Sequence, residues 1–562
     1  MSGAPSPRRR IRLAARIADR PDTNWDTRTP TPIRCKYCGT THFSVELRCA
    51  SATYERTTIG TIYATSAEKG GITRMGKQNS SDVLSGSLWR AVPAFALTVA
   101  VTSILEQLSN PVGVAVMGQL SGPHGTIGMA ALGANAPITG LVINLFVGLA
   151  LGTNVVIANA VGRGDADAVS RATHTSVAMA ALGIAVAVVG ELAASPLLHA
   201  LSVPPAAFAE ALLYLRVYLL GLPAILLYNL EAAVFRGIGL TRAPLAALLV
   251  SFSVNVALDL LFVPVLGWGV AGIAAATAIS YVVSALILLC MLLRRRDAIR
   301  LVPSKLRLDR ATLARIVRIG LPAGLQSAVF AVANIIIQSA INSLGTEAMA
   351  ASSASTSIEY PCYSLLNSFS QACTTFVGQN FGAKKIARCK HTLAVCMIED
   401  GIVAAVAVAV LLGFGHAILG AFNGDPEVVR LGYIRFCYIF PSYAFSMVYE
   451  NVSGYLRGYG ISLAPALLTT ISVCGIRFWW IARVFPASPG FSTVMAVYPI
   501  SLCATMVLIL GALVVCRPAQ TLGGEKGGRL GGGSAPRTRR GGGRALAFAR
   551  TRLRPRASNA TC

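Results

Sequence analysis

RGIGLTRAP, residues 236–244, returns as RGYGISLAP at Arg457–Pro465, 221 positions later. Upstream, Tyr214-Leu-Arg216 recurs as Tyr433-Ile-Arg435 after 219 positions, and GTIGMAA at Gly125–Ala131 recurs as GTEAMAA at Gly345–Ala351 after 220. Three segments in one order at nearly one offset mark two copies of a long unit. What remains of the chain lies between the copies or at an end.

The copies are too apolar for water. Of 562 residues, 54% are hydrophobic and 13% charged, against about 25% charged in a soluble domain. Each copy holds six apolar runs long enough to cross ~30 Å of hydrocarbon. They lie near 90–118, 136–161, 171–194, 208–234, 243–264 and 269–293, then near 315–342, 348–378, 389–415, 427–455, 462–484 and 491–516. The expected fold is an all-α membrane protein of about twelve spans in two six-helix lobes. The lobes occupy 88–293 and 315–516, joined by the basic connector 294–314.

The net charge of +25 invites a nucleic-acid reading, but its distribution opposes one. The first 74 residues hold 13 Lys/Arg against 6 Asp/Glu, and the stretch after Cys516 holds 11 against 1, so the ends carry +17 of the total. Basic tails beside a membrane suit anionic lipid on the cytoplasmic side. The segments 1–87 and 517–562 are expected to be disordered. Met75 is the expected working start. Cys35-Lys-Tyr-Cys38 is a lone CxxC whose spacing to His42 and Cys49 fits no strong zinc pattern, and the other cysteines mostly sit in apolar runs as small hydrophobes. Asn559-Ala-Thr561 matches a glycosylation sequon that a cytoplasmic tail cannot use.

Loop charge predicts orientation. Loops after even-numbered spans carry Arg163, Arg171, Arg236, Arg242, Lys384, Lys385, Arg388, Lys390 and Arg457, whereas those after odd-numbered spans hold almost no base besides Arg483. Even loops, the connector and both termini are therefore expected in the cytoplasm. An even span count makes the copies parallel, related by a pseudo-two-fold along the membrane normal, with a cleft between them suited to alternating access.

Polar groups inside spans need a role or a partner. In span 5, Asn255 and Asp259 share a helix face, and span 6 offers Thr277. This oxygen-rich set suits a sodium ion or a proton, or it forms a structural hydrogen bond tying the two spans. In span 7, Asn334, Gln338 and Asn342 form a polar stripe, which span 8 answers with Glu359, Asn367 and Gln371. Cavity lining is favoured here over packing. Glu106, with Asn110 one turn on, is a further cavity candidate. Glu231 and Glu450 are expected to pair locally with Arg236 and Arg457, Arg216 and Arg435 to snorkel, and Arg477 to seek a carboxylate. Glu399-Asp400 is a double acid without an assigned role. Pro93, Pro111 and Pro322 are expected to bend their helices. No P-loop and no catalytic or metal constellation is present, His174 and His391 included.

The segments GMAALGANAPITGL, GLALGTNVVIANAVGRGD, FRGIGLTRAP, SVNVALDLLFVPVLGWGVAGIAAATAIS, RIGLPAGLQSAVF, FVGQNFGAKK and YLRGYGISLAP together resemble the bacterial multidrug and toxic compound extrusion (MATE) transporters over about 88–516. The resemblance implies a non-enzymatic, monomeric exporter of cationic or amphipathic drugs in the inner membrane, using Na⁺ or H⁺ and no other cofactor. It also implies a cation site in the first lobe at Asn255, Asp259 and Thr277, completed by an acid in span 1. That acid position reads Asn110-Pro111-Val112-Gly113 here, so it is Gly113, and Glu106, two turns back, is the expected substitute. The alternative within the superfamily is a flippase for lipid-linked oligosaccharides, whose cavity would be more cationic.

Overall fold

The computed structural model describes residues 83–120, 125–201, 203–422 and 424–521. The expectations for the CxxC pair, Met75, the sequon and the disordered tails fall outside these residues, apart from the margins 83–87 and 517–521. Twelve helical spans follow one another in two sets of six. They are α1 (Leu88–Leu120), α2 (Gly125–Arg163), α3 (Ala166–Ala200), α4 (Pro205–Leu220 and Leu222–Gly237), α5 (Arg242–Phe262) and α6 (Gly269–Arg294). The second set is α7 (Arg310–Asn342), α8 (Thr346–Gly382), α9 (Ile386–Gly413), α10 (Pro426–Gly458), α11 (Leu463–Ala487) and α12 (Phe491–Cys516).

Nine of these are long and apolar enough to cross a membrane by that test alone, and the α4 pair, bent by 46°, makes a tenth. The remaining two, α8 and α10, are more polar because they turn polar side chains inward. Ser352, Ser355, Ser368, Thr374 and Thr375 of α8 are all buried, and small hydroxyl residues allow helices to approach closely in lipid. Gly221 and Pro223 sit where α4 bends, and α11 contains a π-helical turn at Thr470–Cys474. Helix α1 stays helical through Pro93 and Pro111.

The lobes meet along α1, α2, α7 and α8. Gly148 and Gly152 of α2 face Gly320 and Gly324 of α7. A Cβ at Gly148 would lie 2.4 Å from Gly324 Cα, and one at Gly152 would lie 2.3 Å from the Ile316 carbonyl oxygen. Only glycine permits this backbone contact. Nearer the end that carries the basic loops, Gly162 abuts the Gln379 carbonyl and Gly382 abuts that of Asn159.

The repeated stretch supplies the lock at this basic end. Asn159 Nδ2 donates to the Gly458 carbonyl at 3.2 Å, and Gln379 Nε2 donates to the Gly237 carbonyl at 2.8 Å. Gly237 and Gly458 are repeat mates, 221 positions apart. Asn154 and Thr375, also 221 apart, are hydrogen-bonded to each other at 3.0 Å. This reciprocity is what a pseudo-two-fold along the bundle axis requires.

The seam stops part-way. Gln107 Nε2 donates to Ser364 Oγ at 2.5 Å near the middle of α1 and α8. Among the described residues, no side-chain hydrogen bond joins the lobes beyond that level. A Cβ at Gly133 or Gly140, in the far half of α2, would meet nothing within 4 Å. The glycine contacts and inter-lobe hydrogen bonds of the described residues thus gather at the basic end and the middle of the bundle.

The connector is docked rather than loose. Ile299 and Leu301 are buried against the first lobe. The Val302 N–H donates to His174 Nε2 at 3.0 Å, while Nδ1 lies 2.7 Å from the Ser170 carbonyl, so these partners assign the proton to Nδ1. Asp309 caps α7, and the Thr312 hydroxyl and N–H hold its carboxyl below the usual carboxylate range. Ahead of α1, the carbonyls of Val83, Leu84 and Gly86 accept bonds from Asn380, Lys385 and Arg388.

Candidate functional site

In the first lobe, Asn255 and Asp259 lie one turn apart near the far end of α5, 2% and 1% exposed. Both oxygens of Asp259 and both polar atoms of Asn255 lack a hydrogen-bond partner. The tie between α5 and α6 is made elsewhere, by the Ser251 hydroxyl donating to the Ser280 carbonyl at 2.5 Å. Thr277, on α6, is half-buried, and its carbonyl accepts from the Ser280 hydroxyl at 2.8 Å. The trio therefore forms no structural hydrogen bond between the two spans. Buried polar atoms normally find partners, and a carboxylate with an amide oxygen beside it is a donor set for a hard cation or a proton. The residues fit such a ligand.

Gly113 is buried against α6, where a Cβ would lie 3.0 Å from Ile273 Cγ2. Glu106, the expected substitute, also carries a buried carboxyl oxygen, Oε1, without a hydrogen-bond partner. The electrostatic neighbours of Glu106 are Arg236, Tyr228 and Tyr281, whereas Asp259 acts on Tyr214. Tyr218, stacked on Tyr214 at 5.9 Å, lies between the two sets of neighbours.

In the second lobe the stripe divides into two networks. Arg435 of α10 is buried, contrary to the expectation that it snorkels. It donates to both oxygens of Glu359, at 2.6 and 2.8 Å, and to Ser352 Oγ at 2.9 Å. Ser352 in turn donates to Gln338, which donates to Asn342 at 2.8 Å. Glu359 is thus a buried ion-pair partner and not a free cavity acid. Arg477, 1% exposed, finds no carboxylate; it donates to Asn334 Oδ1 at 2.7 Å and lies over the rings of Phe330 and Tyr498, 4.8 and 4.7 Å from their centroids. Gln371 donates to Asn367 at 3.3 Å along α8.

The repeat mates Glu231 and Glu450 differ. Glu450 accepts from the Tyr363 hydroxyl at 3.1 Å and stands 3.9 Å from Arg457. Glu231 is fully buried with neither oxygen partnered, so its expected pairing with Arg236 is not formed. Arg216 stays half-exposed, 3.8 Å from Glu191. Sequence reasoning named Asp400 without a partner. It is fully buried and accepts from Asn451 Nδ2 at 2.6 Å. Asn451 was missed, because nothing in its spacing points to α9.

The family model MatE matches residues 99–261 and 322–480, one segment in each lobe and together more than half of the chain. The chain belongs to the MatE family. Among curated relatives of this MatE protein, "Probable multidrug resistance protein YoeA" of Bacillus subtilis is 24% identical over 403 residues, covering 70% of this chain and 86% of the relative. "Multidrug export protein MepA" of Staphylococcus saprophyticus is 23% identical over 346 residues, covering 61% and 76%. Among solved structures, an outward-facing multidrug resistance MATE family transporter of the MOP superfamily aligns with a TM-score of 0.71 at 20% identity, covering 79% of this chain and 99% of that one.

Proposed function

We propose that this MatE protein is a secondary antiporter that exports cationic or amphipathic drugs in exchange for Na⁺ or H⁺. The observation that carries this reading is the partnerless Asn255–Asp259 pair in a bundle shut at one end. A cation or proton supplies what those atoms lack, and its binding can bias the two lobes between closure at one end and the other. The basic loops put the shut end in the cytoplasm, so the cleft faces outward, in the inner membrane for a Gram-negative cell. Gln338, Asn342, Asn367 and Gln371 are the polar groups assigned to the drug path. Asn334 and Glu359 hold the two arginines. Gly113 leaves the first-lobe site one carboxylate short, which lowers its net negative charge and favours a monovalent ligand.

Arg477 favours a second reading, an anionic lipid-linked substrate, because its buried charge has no carboxylate beside it. Loaded inverted vesicles separate the two. The exporter reading expects ethidium movement driven by an imposed Na⁺ or pH gradient and no gradient-driven translocation of a lipid-linked oligosaccharide. Translocation of the lipid without drug movement would reverse the assignment.

A further inference from the structure

The double acid of α9 has a setting of its own. Asp400 and Asn451 are both 0% exposed and join α9 to α10. One bond is made between them, Asn451 Nδ2 to Asp400 Oδ2 at 2.6 Å. One atom is left on each planar group, Asp400 Oδ1 and Asn451 Oδ1, and neither has a partner. Both leftover atoms are acceptors while Asp400 is ionised, so the pair is one hydrogen short.

No cation faces Asp400 closely enough to replace that hydrogen. Its charged and titratable neighbours are Glu450 on α10 and Glu399 and Cys396 on its own helix, with Cys373 of α8 beside Cys396. Glu450 is itself occupied by Tyr363 and by Arg457 at 3.9 Å. Asp400 forms no ion pair among the described residues. An ionised carboxylate here would face other acids in a medium that penalises buried charge.

We propose that Asp400 and Asn451 form a proton-binding site in the second lobe. One proton, taken from water onto Asp400 Oδ1, turns the carboxylate into a carboxylic acid. The acid O–H donates to Asn451 Oδ1 while Oδ2 keeps the bond from Asn451 Nδ2. The result is a closed acid–amide ring in which all four polar atoms are satisfied. Proton release leaves both remaining oxygens as acceptors without a hydrogen, so occupancy of the site biases the α9–α10 contact. This site is separate from Asn255 and Asp259 and does not depend on what the protein exports.

The test is infrared spectroscopy of the full-length protein in lipid nanodiscs across pH. The expected spectrum contains a protonated-carboxyl C=O band that is lost in Asp400→Asn and kept in Asp259→Asn. The exchange Asp400→Asn with Asn451→Asp, which leaves one acid and one amide, restores it. Asn451→Leu keeps the acid but removes its acceptor, so the band moves to higher frequency. An Asp400→Asn spectrum with the full wild-type acid band, or an Asn451→Leu band superimposable on wild type, would overturn the proposal. No drug enters the measurement, so its failure is distinct from failure of the exporter reading.

Discussion

Arg435 and Glu359 stand 76 positions apart and are joined by two short bonds in a buried setting. Removing one member leaves the other charged and uncompensated, whereas removing both can be nearly neutral. Glu359→Gln or Arg435→Leu is therefore expected to cost about 3–5 kcal/mol, and the double replacement clearly less than the two singly. Thermal unfolding of the purified variants in detergent measures this, and strict additivity would show that the pair is not coupled. The repeat alone could not reveal the pair. Arg216 holds the equivalent place in the first copy and stays at the surface beside Glu191. Two residues at one repeat position thus took different environments because their partners lie on other helices, at spacings that no periodicity encodes. Glu231 and Glu450 repeat the lesson. Sequence placed Asn255, Asp259 and Thr277 on adjacent helices, but the tie between α5 and α6 runs through Ser251 and Ser280, which no spacing singled out.

Among the elements, α2 and α7 set the geometry. Gly148, Gly152, Gly320 and Gly324 bring the two backbones together where any side chain would intrude. Gly152→Leu must push the helices apart by ~1 Å or more to reach ordinary contact distance. The basic end should then open. A cysteine placed at Ala158, which is 0% exposed, is expected to be alkylated several-fold faster in Gly152→Leu than in its absence, in a cysteine-free background. Equal rates would mean that the glycine seam does not hold the end shut. The spans themselves were legible from apolar length, because a bilayer sets the required run. The start of α2, eleven residues earlier than its apolar run suggested, was not. Nor was the 46° bend in α4, although Gly221 and Pro223 mark the place.

For the whole molecule, the repeat was the decisive signal. It gave two parallel lobes, and the reciprocal bonds from Asn159 to Gly458 and from Gln379 to Gly237 show the axis that relates them. Which end was shut could not be read from sequence, since both conformations of an alternating-access bundle share one sequence. The proposed antiport rests on the shut basic end and on the partnerless Asp259 as its coupling site. The measurement that bears on this most directly is ethidium efflux with Na⁺ and pH gradients imposed separately, comparing wild type with Asp259→Asn. Efflux driven by one gradient in wild type and reduced at least tenfold in the variant is the predicted result; gradient-driven efflux at the wild-type rate in Asp259→Asn would contradict it.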